Sequence, residues 1–95
     1  MKKLFNFNKS ADKQMRKGDQ ALKVINDPLV KEALSGIEDT IFHNIKTSKY
    51  KNVDEREELY RMLKLCDKFK EQFALWVRDG KAARAKLEQT TSKII

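Results

Sequence analysis

The sequence predicts an all-α fold, a three-helix domain with two shorter N-terminal helices and one long C-terminal helix. Three observations predict it. The 95 residues include one Pro and three Gly, charged residues make up 37% beside 40% apolar residues, and the apolar positions are spaced alternately by three and four. A domain of this size buries only about 60% of the surface of its unfolded chain. We therefore expect a helical hairpin or bundle that is closed by oligomerisation.

Residues 1–9 are predicted to form a basic, aromatic N-terminal arm, followed by a single helical domain over residues 10–95. The arm has no helical period and mixes lysines with large apolar side chains. It either docks on a neighbouring subunit or partner, or folds back on its own helices. Its candidate contacts with a polyanion or partner, extended to residue 17, are Lys2, Lys3, Phe5, Phe7, Lys9, Lys13, Arg16 and Lys17.

The first helix is predicted over about residues 10–26. Ser10 is a suitable N-cap, and the apolar or small positions that follow it keep the helical spacing. They are Ala11, Met15, Gly18, Leu22 and Ile25. Gly18 costs about 1 kcal/mol relative to alanine inside a helix, so we expect a closely packed neighbour at that point.

A second helix is predicted over about residues 28–46. Pro28 disfavours helical geometry at the residue before it, and Asp27 followed by Pro28 makes a good N-cap and first-turn pair. The apolar face of this helix carries Leu29, Val30, Ala33, Leu34, Ile37, Ile41 and Ile45, and Phe42 widens it.

Residues 47–53 have no period and form the predicted connection to a last helix over about residues 55–89. Asp54 is its predicted N-cap, with Glu57 at the capping-box spacing. Gly80 offers an alternative end as a C-cap glycine, but the apolar spacing continues beyond it. We therefore expect the helix to pass through Gly80.

An apolar heptad runs along this last helix without a change of phase. It comprises Leu59, Met62, Cys66, Phe69, Phe73, Trp76, Gly80, Ala83 and Leu87. Its bulky aromatic residues and its apolar flanks make it wider than the seam of a two-stranded coiled coil, so we expect several neighbouring helices to cover it. Cys66 is the only cysteine, which excludes an intramolecular disulfide and favours a buried, inert thiol.

No catalytic constellation is apparent, and we expect neither enzymatic activity nor a cofactor. His43 is the only histidine, and with Asp39 it supplies too few ligands for a metal site. A second basic group surrounds the connection, where an aromatic ring among lysines could stack on a base, fill a partner's pocket, or simply be solvated. It consists of Lys46, Lys49, Tyr50 and Lys51. Arg61, Lys64 and Lys68 lie on one stripe, which acids at helical spacing can neutralise.

The net charge is +7 and the sequence pI is about 9.6. This balance is typical of proteins that bind polyanions, although many small lysine-rich proteins are basic without such a ligand. No apolar run approaches the roughly 20 residues of a membrane span, and the first ten residues have too short an apolar core for a signal peptide. We expect no membrane partner and an intracellular location.

The segments DPLVKEAL, DEREELYRMLKL and DGKAA resemble small helical proteins of unassigned role from tailed phages, over about residues 20–90. The resemblance implies a phage setting, and with it a location in the host cytoplasm or in a virion. Together with the wide seam and the basic arm, it suggests a non-enzymatic homo-oligomer, a virion or genome-packaging component that contacts DNA or a larger phage assembly. Two alternatives remain open: a helical module that binds a host or phage enzyme and inhibits or redirects it, and a sponge for nucleotides or small anions near Tyr50.

Overall fold

The computed structural model describes the backbone of residues 2–94 and the side chains of residues 10–90. It contains three helices, α1 (Lys2–Asn26), α2 (Pro28–Thr47) and α3 (Val53–Ile94), and no strand within that range. The predicted all-α class, with two shorter helices before one long helix, is confirmed.

The start of α1 differs from the prediction, because the helix begins at Lys2 and not at Ser10. Residues 2–9 contain neither proline nor glycine. Extending an existing helix requires no new nucleation, so a weakly periodic segment can join the helix that follows it. The backbone of the predicted arm is therefore continuous with α1.

The boundary between α1 and α2 agrees with the prediction. Asp27 has extended backbone angles, and its Oδ1 accepts hydrogen bonds from the N–H groups of Leu29 at 2.8 Å and Val30 at 3.2 Å. Pro28 occupies the first turn, where its missing N–H costs no hydrogen bond. These two residues end one helix and begin the next.

The N-terminus of α3 is capped by a different residue from the predicted Asp54. Asn52 Oδ1 accepts a hydrogen bond from the Glu55 N–H at 3.4 Å, and Asn52 Nδ2 donates to Glu55 Oε2 at 2.6 Å. The Arg56 N–H donates to the Asn52 carbonyl at 3.3 Å, as expected for the first helical bond. The capping pair thus has the predicted spacing of three residues but lies two positions earlier.

The helix α3 passes through Gly80 and extends to Ile94, beyond the predicted end near Gln89. No described residue has a positive φ, so Gly80 does not adopt the left-handed conformation of a C-cap glycine. No further glycine and no proline follows it in the sequence, so nothing in the backbone chemistry stops the helix there.

The chain divides into two compact units, which α3 joins. Unit 1 combines Met1–Ile25 with Gln72–Ile95, and unit 2 is Asn26–Glu71. The buried apolar residues of the described range are few and mostly small: Ala11, Ala21 and Ala83 in unit 1, and Ile41 and Leu59 in unit 2. Twelve larger apolar side chains remain exposed among the described residues, so the core is thin for the apolar content of the chain.

Candidate binding surfaces

The two helices of unit 1 meet at a pair of glycines. A Cβ atom placed on Gly18 would lie 2.9 Å from the Trp76 carbonyl oxygen and 3.1 Å from the Gly80 Cα. A Cβ on Gly80 would lie 3.0 Å from the Gln14 carbonyl oxygen and 3.1 Å from the Gly18 Cα. The backbones therefore approach so closely that a Cβ at Gly18 requires the helices to shift and a Cβ at Gly80 meets backbone atoms at very short distance. This confirms the close neighbour expected at Gly18 and gives Gly80 a packing role.

Trp76 forms an aromatic and cationic cluster beside this glycine pair. Its ring lies 5.4 Å from the ring of Phe73 in an edge-to-face arrangement at 83°. Lys17 Nζ lies 5.4 Å from the centroid of the Trp76 ring, within the range of a cation–π interaction. Lys17, a predicted contact residue, therefore also helps to attach α1 to α3.

The acidic residues of unit 1 are largely neutralised by arginines within the same unit. Three of its four acids form such pairs: Asp12 with Arg16 at 3.0 Å, Asp19 with Arg84 at 3.1 Å, and Asp79 with Arg78 at 3.3 Å. All three pairs are substantially exposed, so each contributes little to stability. Their main consequence is that the excess positive charge of unit 1 is carried mostly by lysines.

The net positive charge of the protein lies entirely in unit 1. The sequence of this unit contains 12 Lys and Arg residues against 4 Asp and Glu, a net charge of +8. Unit 2 contains 9 basic against 10 acidic residues, a net charge of −1. The charge excess that the sequence suggested for residues 1–17 thus extends to the C-terminal half of α3.

The structure describes the side chains of only some of the predicted contact residues of the arm. The side chains of Lys2, Lys3, Phe5, Phe7 and Lys9 lie outside the described residues. Lys13, Arg16 and Lys17 are exposed on α1, and Arg16 is engaged with Asp12. No contact of the arm with a neighbouring subunit or with its own helices can be assigned from the described side chains, so both interpretations of the arm stay predictions.

Unit 2 contains an apolar groove of about 380 Å³ between α2 and α3. It is lined by Val30, Ala33, Leu34 and Ile37 of α2 and by Leu65, Cys66 and Phe69 of α3. Leu65 is 70% exposed and Ile37 51% exposed at its edges. Unit 2 therefore presents an open apolar surface that its own two helices do not cover.

The predicted seam of α3 is covered unevenly. Leu59, Gly80 and Ala83 are buried, whereas Met62 and Phe69 are each 46% exposed. Cys66, Phe73, Trp76 and Leu87 are intermediate. The expected burial of the Cys66 thiol is therefore wrong, because Cys66 is only partly covered and lies in the wall of the open groove between α2 and α3.

A half-buried ion pair links the two helices of unit 2. Lys70 Nζ lies 2.7 Å from Glu38 Oε1, and Glu38 is the less exposed partner. The hydrogen bond to Glu38 raises the pKa of Lys70 above its ordinary value of 10.5, and the negative charges of Glu38 and Asp67 add to this effect. The pair is the one ion pair between α2 and α3 among the described residues.

The connection between α2 and α3 presents the second predicted basic group. Lys46, Lys49 and Lys51 are exposed, and Tyr50 is 87% exposed. The Arg56 guanidinium donates to the Tyr50 carbonyl oxygen at 2.8 Å and lies 5.7 Å from the Tyr50 ring centroid. The Tyr50 ring thus already has a cationic neighbour from its own chain. A base or partner that stacks on this ring has to do so beside the Arg56 guanidinium or in its place.

Other charged candidates are structural or solvated in the described part of the chain. Arg61 pairs with Glu58 at 3.0 Å and with Glu57 at 3.8 Å, as expected for a salt-bridged helix surface. No group of three or more His, Cys, Asp or Glu side chains in the described range is placed to hold a metal ion. Within the same range, none of the helices is long and apolar enough to cross a membrane.

Several features of these surfaces were missed from the sequence. The groove could not be read from spacing alone, because Leu29, Ala33 and Ile37 belong to the apolar face predicted for α2, yet the structure leaves all three exposed. Gly18 and Gly80 each interrupt an otherwise apolar series of helix positions, but nothing local in the sequence indicates that they meet. In comparisons with known proteins, no family model, no curated protein and no solved structure matches this chain.

Proposed function

We propose that this protein is a non-enzymatic, homo-oligomeric helical protein of a tailed phage, a virion or genome-packaging component. In this proposal unit 1 contacts DNA or another polyanion, and unit 2 holds the protein in a larger assembly. The observation that carries the proposal is the separation of charge, with +8 in unit 1 and −1 in unit 2. The phage setting is supported by the sequence resemblance described above.

The charge of unit 1 favours a polyanion as its ligand. Within each of its three exposed ion pairs the acid and the arginine neutralise one another, so the lysines determine the electrostatic field at the surface of unit 1. Lysines that contact phosphates release condensed counterions, which provides affinity at low ionic strength without base recognition. A solubility role alone would not require the charge to be concentrated in one unit.

Binding to a short double-stranded DNA, measured by fluorescence anisotropy at several salt concentrations, tests this proposal. A variant with Lys13→Gln, Lys23→Gln and Lys81→Gln removes three exposed cations from unit 1. We expect weaker binding and a slope of log affinity against log salt that is smaller in magnitude by up to about 3, because each lost phosphate contact removes about 0.9.

The matched control removes the same charge from unit 2 through Lys31→Gln, Lys64→Gln and Lys68→Gln, all of which are exposed. This variant should retain the slope of the unmodified protein. Absence of DNA binding at low salt, or an equal loss in both variants, contradicts the assignment of polyanion contact to unit 1.

A second candidate function is a module that binds a host or phage enzyme and inhibits or redirects it. The apolar groove of unit 2 favours this alternative, because an amphipathic helix of a partner can occupy such a groove. A stable one-to-one complex with a single host protein, recovered by affinity purification and lost in an Ile37→Asp variant, supports this candidate over self-association.

A further inference from the structure

The connection between α2 and α3 differs in charge from the rest of unit 2. Residues 46–52, which we call the basic turn, contain three lysines and no acid. The lysines are Lys46, Lys49 and Lys51. The rest of unit 2 contains 6 basic against 10 acidic residues, so the small net charge of the unit conceals a separate basic surface.

The three lysines of the basic turn are available to anions from another molecule. All of them are exposed, and none forms an ion pair among the residues that the structure describes. The nearest acids in the sequence are Asp54 and Glu55, and Glu55 Oε2 already accepts a hydrogen bond from the Asn52 side chain at 2.6 Å. Direct contact with an acid therefore does not neutralise the charge of the basic turn within this range.

The backbone of the basic turn is fixed by hydrogen bonds within unit 2. The Asn52 N–H donates to the Lys49 carbonyl oxygen at 2.9 Å. This hydrogen bond closes a β-turn with Tyr50 and Lys51 at its central positions. The Arg56 guanidinium donates to the Tyr50 carbonyl oxygen at 2.8 Å. Because the segment that carries Tyr50 is already ordered, a ligand that binds there pays little for ordering it.

The Tyr50 ring is more exposed than the other aromatic side chains of unit 2. It is 87% exposed, compared with 52% for Tyr60, 48% for Phe42 and 46% for Phe69. The Arg56 guanidinium carbon lies 5.7 Å from the Tyr50 ring centroid, which positions the ring and leaves most of its surface in solvent. The basic turn therefore presents a positioned aromatic ring among three exposed lysines.

We propose that the basic turn binds single-stranded nucleic acid, with one unpaired base stacked on Tyr50 and phosphates contacted by the neighbouring lysines. Aromatic rings beside cationic side chains hold single strands in this way without reading their sequence. A base inside a duplex is covered on both faces by its neighbours, so a single strand fits the Tyr50 ring and a duplex does not. The inference goes beyond the polyanion contact of unit 1 and does not depend on it.

The size of the surface favours a single strand over a folded partner protein. Tyr50 is the only large apolar side chain of the basic turn, and a fully exposed ring of this kind supplies about 200 Å². Each partner in a standard protein interface contributes about 800 Å². Stacking of one base, in contrast, requires a single ring, and each phosphate contact requires a single lysine.

Fluorescence anisotropy with an oligothymidine of about 10 nucleotides tests the proposal. The full chain carries Lys13→Gln, Lys23→Gln and Lys81→Gln as a background, so that unit 1 contributes less to binding. In this background Tyr50→Leu should weaken binding by about 5- to 150-fold, the range for loss of one stacked base. Tyr50→Phe keeps the ring and should change the affinity by less than about threefold.

Tyr60→Leu is the matched control, because Tyr60 is the other tyrosine of the chain and is 52% exposed outside the basic turn. It should leave the affinity within about threefold of the background protein. Lys49→Gln with Lys51→Gln should reduce the slope of log affinity against log salt by up to about 1.4, at about 0.7 for each phosphate contact with a single strand. Tyr50→Leu should leave this slope unchanged. Circular dichroism checks that all variants retain their helix content.

Two further measurements identify the site and the chemistry of the ligand. In NMR spectra of the background protein, added oligothymidine should shift the amide resonances of residues 46–56. A peptide of ten glutamates carries negative charge without bases, and its binding should not respond to Tyr50→Leu. Deoxyuridine and uridine oligomers of equal length distinguish DNA from RNA, and dependence on Tyr50 with either one supports the inference.

The outcomes separate this inference from the proposed function. Equal affinity of Tyr50→Leu and the background protein for the oligothymidine, or NMR shifts confined to unit 1, overturns the inference and leaves the duplex contact of unit 1 standing. Tyr50-dependent binding of the single strand, in a protein that ignores duplex DNA at low salt, supports the inference and overturns the polyanion role of unit 1. A protein that binds neither strand form at low salt overturns both.

Discussion

Replacing Gly18 with alanine should destabilise the protein, although alanine is the better helix former. The new Cβ would lie 2.9 Å from the Trp76 carbonyl oxygen and 3.1 Å from the Gly80 Cα, both of them backbone atoms of α3. Neither can move without moving the helix, so α1 and α3 must separate at this point. A separation of about 0.5 Å forfeits roughly a quarter of the dispersion energy of the contacts it opens.

The expected magnitude follows from two opposing terms. Overpacking costs about 1 to 3 kcal/mol, and obstruction by backbone places this site in the upper half of that range. Helix propensity returns about 1 kcal/mol when glycine becomes alanine. We therefore expect a net loss of about 1 to 2 kcal/mol. For a chain of this length, each kcal/mol lowers the melting temperature by about 4 to 8 °C.

Urea unfolding at fixed protein concentration, followed by circular dichroism, measures this loss. Gly80→Ala should behave in the same way, and the double variant should lose less than the sum of the two single variants, because one separation accommodates both side chains. Ala82→Gly measures the helix-propensity difference between alanine and glycine by itself, because Ala82 is an exposed residue of α3 two positions after Gly80. If Gly18→Ala instead stabilises the protein by about the 1 kcal/mol expected from propensity alone, the close crossing of the two helices is refuted.

Three other predictions follow from the described contacts. Trp76→Ala should cost about 2 kcal/mol in urea unfolding, below the 3 to 5 kcal/mol of a fully buried tryptophan, because this residue is only half-buried. Glu38 raises the pKa of Lys70 in the folded state, so the ion pair stabilises the fold below pH 10.5. This contribution to the free energy of unfolding is lost as pH rises through the raised pKa. Lys70→Met should abolish the alkaline loss, as measured by urea unfolding curves on either side of pH 10.5. Asn52→Ala should lower the free energy of unfolding by about 1 kcal/mol, because it removes the capping hydrogen bonds between Asn52 and Glu55. If Asp54→Ala causes this loss and Asn52→Ala does not, Asp54 is the N-cap instead.

The helical architecture could be predicted because its signals are local. Asp27 before Pro28 marks a helix start through the chemistry of adjacent residues, and the structure has the boundary at that position. The continuation of α3 through Gly80 followed from the unbroken apolar spacing. The N-cap of α3 was misplaced by two residues because Asn52 and Asp54 both have an acid three positions later, and spacing alone does not distinguish them.

The binding surfaces could be predicted less well, because they depend on which helix face is covered. Heptad spacing groups Leu59 with Met62 and Cys66, but it does not show that Leu59 is buried while Met62 is 46% exposed and Cys66 lines an open groove. The meeting of Gly18 and Gly80 depends on two residues 62 positions apart in the sequence. Such long-range register is set by packing and is not encoded in any local pattern.

The continuity of α3 has a consequence for how the protein unfolds. The two units share this helix, and the boundary between Glu71 and Gln72 falls inside it without a break. Melting one unit alone would end α3 at an interior position and leave a turn of backbone N–H or C=O groups without helical partners. We therefore expect amide hydrogens around residues 68–76 to exchange only in a global opening event, so that the middle of α3 reports the cooperativity of the whole chain.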